Sequence, residues 1–139
     1  MAPLKSAFFA IKPHYATMIL RGTKTVELRR CRPSLQPGDI ILLYASSPVR
    51  ALWGWSRVER LCEASPPELW PVVREHVGLP RGEFDSYYAG ATKAVAIFLC
   101  DVVRLAQPLA LETIRARMPG FRVPQSFCYV NVGDLGVPG

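Results

Sequence analysis

The chain has 139 residues, half of them hydrophobic, and carries 17 Lys and Arg against 11 Asp and Glu for a net charge of +6. That length suits one domain around one core, and no run approaches the roughly 18–20 apolar residues of a membrane-spanning helix. The charge is uneven: residues 1–60 hold ten bases and three acids, while residues 61–139 hold seven bases and eight acids. A basic excess confined to one half points to an anionic partner, with nucleic acid the commonest; taken alone, it also fits plain solubility.

Met1 to Tyr15 is apolar but broken by Lys5 and Lys12, without the long apolar core of a secretory leader, so a cytoplasmic location is expected. Ser6 to Ile11 reads as a first strand. Pro13 suits the first turn of a helix over 14–21, whose apolar stripe is Tyr15, Met18 and Ile19 and whose stop is Gly22. A strand follows from Thr25 to Arg30. Alternation puts Val26 and Leu28 on one face, and Thr25, Glu27 and Arg29 on the other. Lys24 lies just before this strand, where a turn at Gly22 aims its ammonium back at the polar face. Exposed Lys–Glu–Arg clusters are commonly solvated surface, and their ion pairs contribute little.

Arg29, Arg30 and Arg32 form a basic cluster leading to the turn Pro37-Gly38-Asp39. Ile40 to Tyr44 is apolar throughout and reads as a buried strand, and Ser46-Ser47-Pro48 turns the chain. Val49 to Cys62 reads as a long strand whose period places Trp53 and Trp55 on one face, as barrel-wall packing or as a stacking platform. Gly54 between them predicts a bulge or a close approach. Residues 66–90 read as a helical insertion, with Ser65 as cap of a helix reaching about Val77 and a second helix over 81–88. Lys93 to Leu105 is an apolar central strand, and Pro108 to Met118 a short helix. Phe121 to Val132 carries Gln125, Ser126 and Tyr129 in a loop and final strand, and Gly133 to Gly139 is expected to fray.

Cys31, Cys62, Cys100 and Cys128 form no Cys-x-x-Cys pair, so neither zinc nor a disulfide is expected; Cys62 and Cys100 read as buried thiols. No metal and no cofactor is expected. The fold class expected is α+β: a small, closed barrel of about five or six mostly antiparallel strands, with flanking helices, over 1–132.

The pattern Gly22, Lys24, Glu27 and Arg29, spaced Gly-x-Lys-x-x-Glu-x-Arg, resembles the signature of the ASCH domain family, a branch of the PUA-like barrels. Ile11-Lys12-Pro13, Ile19-Leu20-Arg21-Gly22, Leu35-Gln36-Pro37-Gly38-Asp39, Leu43-Tyr44-Ala45-Ser46 and Pro124-Gln125-Ser126-Phe127 flank it in matching order, over about residues 6–130. The resemblance implies a cleft beside the barrel that binds RNA or a modified nucleotide, with single-stranded RNA the expected partner. Lys24, Glu27 and Arg29 are its carried-over residues, with Lys12, Arg30, Tyr44, Ser46, Gln125 and Ser126 as neighbours. Lys24 and Arg29 are expected on a phosphate, Arg29 in bidentate fashion, Glu27 and Gln125 on a base edge, and Tyr44 or Tyr88 stacked on the base.

The alternative is a metal-independent ribonuclease or nucleoside-directed hydrolase with Lys24, Glu27 and Arg29 as catalytic groups. Acyl-cytidine hydrolases of this kind carry Thr where this chain has Glu27. A carboxylate is not that hydroxyl nucleophile, which weakens the amidohydrolase form of the alternative.

Overall fold

Two long strands carry the architecture. In a computed structural model describing residues 4–137, β4 (Ala51–Ala64) and β5 (Ala94–Ala110) pair antiparallel from Ala51↔Ala110 to Ala64↔Ala94. The other elements in chain order are β1 (Ser6–Ile11), α1 (Pro13–Arg21), β2 (Val26–Arg29), β3 (Ile40–Ala45), α2 (Pro66–Val73), α3 (Arg81–Tyr87), α4 (Leu111–Arg117), β6 (Phe127–Tyr129) and α5 (Val132–Leu135). The sheet order is β2-β5-β4-β3-β1-β6, with β1 parallel to β3 and every other neighbouring pair antiparallel.

Both faces of this sheet are covered, which is why Ile40–Ala45 is buried at all six positions. One face holds Phe9, Ile11, Ile41, Leu43, Val95 and Ile97 under Ala16 and Ile19 of α1. The opposite face is covered in two parts. Leu69, Val73, Phe84 and Tyr88 of the α2–α3 insertion pack on Val26, Leu28, Ala96 and Phe98. Ile114 and Leu135 pack with Phe8, Leu42, Tyr44 and Leu52. Burying these side chains at about 25 cal/mol per Å² supplies the main drive for folding.

Among the described residues, hydrogen bonding does not close the barrel. β2 and β6 are the two ends of the sheet, which forms a curled half-barrel instead of the closed one expected. The guanidinium of Arg29 bridges that gap, reaching from β2 to the Ala10 carbonyl on β1 and to Ser126 just before β6.

Three stretches depart from the sequence reading. Trp53 and Trp55 pack on different faces, because the register slips between Leu52 and Gly54 and breaks the alternation. A Cβ at Gly54 would collide with the Val103 carbonyl, so the close approach expected there is met. β5 runs on to Ala110 through Pro108, whose missing donor falls where β5 has no neighbour but β4, and the helix starts only at Leu111. The segment beyond Gly133 also differs: α5 ends at Gly136 (φ +68°), Leu135 is fully buried, and Arg117 donates to its carbonyl. Residues 138–139 lie outside the described residues.

Asp39 fixes the entry to β3. It is buried and accepts from the backbone N–H of Lys5 (2.9 Å) and of Gln36 (2.7 Å), which ties the first strand to the turn. All four cysteines are free; Cys31 is exposed, and Cys62 and Cys100 are half-buried instead of fully enclosed. Among the described residues no helix is long and apolar enough to cross a membrane.

Candidate nucleic-acid interface

A cleft of about 1730 Å³ opens where the end of β1, β2, α3, the β3–β4 turn, α4 and residues 123–127 converge. Lys12, Lys24, Glu27, Arg29 and Arg30 line it from the N-terminal half, and so do Tyr44 and Ser46. Gln125 and Ser126 line it from the C-terminal segment. The topology thus gathers all nine residues singled out in the sequence. Thr25 is exposed and lies outside the lining.

Local backbone bonding sets Lys24 in place. α1 stops at Gly22 in the left-handed region (φ +83°), and the N–H groups of Thr23 and Lys24 donate to the Met18 carbonyl. Thr25 and Val26 donate to the His76 carbonyl, which ties the turn to the insertion. Lys24 is 2 % exposed; its Nζ donates to the Val77 carbonyl at 2.7 Å and lies 3.9 Å from Glu27 Oε1 and 5.1 Å from the Tyr15 ring centre. Burial pulls its pKa down, Glu27 pulls it up, and Arg29 pulls it down again.

Arg29 is equally committed. Its Nη2 donates to Glu27 Oε2 at 2.6 Å and to the Ala10 carbonyl at 3.2 Å, while Nη1 donates to Ser126 Oγ at 3.0 Å and the Ser126 carbonyl at 3.3 Å. The guanidinium also sits 4.7 Å from the Phe9 ring centre. Only Nε, itself buried, lacks a partner among the described residues. Both ends of the Arg29 fork, expected on a phosphate, are occupied by the protein. Glu27 belongs to the same network: its Oε2 accepts from Arg29 at 2.6 Å, and its Oε1 lies 3.9 Å from Lys24 Nζ.

The stacking role expected of Tyr44 or Tyr88 is corrected as well. Tyr44 is 1 % exposed, with its ring against Phe8 at 5.0 Å. What it turns toward the cleft is its hydroxyl, where burial raises the pKa and Arg50 and Arg115 lower it. Tyr88 is buried in the insertion core and donates to the Arg29 carbonyl at 3.0 Å. The exposed ring is that of Tyr87, 39 % accessible and 5.1 Å from the Arg30 guanidinium.

The available cations are therefore others. Lys12, Arg50 and Arg115 line the cleft, are exposed, and make no ion pair or side-chain hydrogen bond among the described residues. Arg50 stands at φ +54° just past the Ser46-Ser47-Pro48 turn, and Arg115 in the last turn of α4. Sequence reasoning passed over both arginines as site residues, because each belongs to an element far from the signature. Glu83 is likewise remote from the signature in sequence, whereas Tyr15 reads as part of the apolar stripe of α1; the Tyr15 hydroxyl donates to Glu83 Oε2 at 2.7 Å across the cleft, joining α1 to α3. Burial, together with Glu83, pushes the Tyr15 phenol up to about 12.

The ASCH domain family matches residues 9–107, and the chain belongs to it. An ASCH domain-containing ribonuclease of Zymomonas mobilis is 29% identical over 127 residues, covering 91% of this chain and 85% of that protein. The crystal structure of ASCH from the same organism superposes with a TM-score of 0.89 at 27% identity, covering 95% of this chain and 92% of that one. A protein from Leishmania major shares the fold at a TM-score of 0.58 and 14% identity, covering 96% and 91%.

Proposed function

We propose that this chain binds single-stranded RNA, or a modified nucleotide, in the cleft. One observation carries the reading. The cleft is lined by Lys12, Arg50 and Arg115 with free charges, beside the exposed Tyr87 ring and the exposed amide of Gln125. Free cations hold phosphates, and an exposed ring beside them stacks a base, which is the combination single strands need. The buried Lys24–Glu27–Arg29 group supports the cleft wall rather than meeting the ligand. The name of the Zymomonas mobilis relative agrees with an RNA ligand. Four unpaired thiols suit the reducing cytoplasm.

Cleavage is a second reading, favoured by that name and by Lys24, an ammonium with a lowered pKa facing the cleft. A base that removes the ribose 2′-hydroxyl proton drives that oxygen onto the adjacent phosphorus and expels the 5′-oxygen, with cations stabilising the phosphorane. Incubation of end-labelled single-stranded RNA with the protein in EDTA separates the readings. Binding measured by anisotropy with the RNA left intact is the result expected of the module. Fragments that vanish with Lys24→Ala, its fold verified by circular dichroism, would establish the enzyme. Absence of binding and of cleavage would refute both.

A further inference from the structure

Two carboxylates line a cleft that is otherwise basic, and they stand in different states. Glu27 is bound to Arg29 at 2.6 Å, with its side chain 8% exposed. Glu83 is exposed, and only its Oε2 is engaged, by the Tyr15 hydroxyl; Oε1 has no partner among the described residues. The Tyr15 ring is itself held, with Lys24 Nζ 5.1 Å from its centre, so the donor that orients Glu83 is fixed to the cleft wall. On α3, Glu83, Ser86 and Tyr87 all face the cleft, at the i, i+3 and i+4 positions that share one side of a helix.

A free carboxylate in a site for a polyanion weakens attraction for phosphate, so its placement calls for a ligand donor. The geometry points to Glu83 as a specificity-determining residue that accepts from the Watson–Crick edge of guanine. Guanine offers adjacent N1–H and N2–H donors to the two oxygens of one carboxylate, Oε1 being free and Oε2 keeping a second lone pair beside the Tyr15 hydroxyl. Cytosine and adenine offer one amino group there, and uracil sets its N3–H between two carbonyl acceptors that a carboxylate repels. Tyr87, one helical turn from Glu83, supplies the ring on which that base stacks. This assignment rests on the reading of the cleft as an RNA site.

The test compares an all-uridine RNA octamer with octamers carrying one central guanosine, cytidine or adenosine, titrated against wild type and Glu83→Gln by anisotropy. Glutamine keeps an oxygen for the Tyr15 hydroxyl but replaces the free acceptor with a donor. Wild type is expected to prefer the guanosine octamer over the all-uridine one by about tenfold, the scale of a good bidentate base contact. Glu83→Gln is expected to lose that preference and to bind the all-uridine octamer more tightly, since a negative charge has left the cleft. Equal binding of all four octamers by wild type, or a guanosine preference that survives Glu83→Gln, would overturn the assignment while leaving the RNA site in place. Failure of wild type to bind any octamer would instead remove the RNA reading and this assignment with it.

Discussion

Arg29→Ala is expected to lower the free energy of unfolding by about 3–5 kcal/mol, the cost of removing one partner from a buried charge pair. The substitution leaves Glu27, 6% exposed, without the guanidinium at 2.6 Å. It also frees the Ala10 carbonyl and Ser126, and with them the bridge across the open side of the sheet. Arg29→Lys restores the charge but not the bridge, because one ammonium cannot place parallel donors on two strands. It should recover less than half of the loss. Urea denaturation reads both variants. A loss below about 1 kcal/mol for Arg29→Ala, the range of exposed ion pairs, would show that the bridge is surface decoration.

The second large effect concerns affinity. Replacing Lys12, Arg50 and Arg115 together by alanine is expected to cut single-stranded RNA binding by on the order of a hundredfold or more at low salt. It should also reduce the salt slope by about 2, since each phosphate contact on a single strand contributes about 0.7. The matched control replaces Arg57, Arg74 and Arg104, none of which lines the cleft, and removes the same charge. A ligand attracted only by net charge would lose equally from both triple variants. A seated ligand loses its slope only from the first. Equal losses in a titration over several salt concentrations would return the basic excess to plain solubility.

The parts of this molecule that the sequence made legible are those fixed by short-range physics. Pro13 and Gly22 bound α1 because proline's fixed φ suits the first turn and glycine adopts the left-handed cap without strain. The even spacing of Glu27 and Arg29 puts both on one side of β2, and both reach the cleft. Long-range pairing decides the rest. Whether an arginine meets phosphate or protein depends on which backbone carbonyls surround it, and Ala10 and Ser126 come to Arg29 from 19 and 97 residues away. Period-two reasoning placed Trp53 and Trp55 together, but a bulge is set by partner strands and not by the tryptophans themselves. The same holds for Arg50 and Arg115, which share a site only because β3, β4 and α4 converge beside Tyr44. The tail beyond Gly133 reads as flexible from its glycines, yet Leu135 is buried in one cluster with Phe8 and Ile114, with Val132 and Val137 packed against it.

The signature residues thus act as a frame. Lys24 fastens the insertion through Val77, and Arg29 holds the open side of the sheet, while the ligand contacts proposed above fall to groups outside the signature. That division is tested most directly by photo-crosslinking RNA carrying 4-thiouridine to the protein and mapping the adducts by mass spectrometry. Adducts on Tyr87 and Tyr15, which both line the cleft, are the expected result. Adducts confined to Trp55 and the residues around Arg57, with none in the cleft, would contradict it.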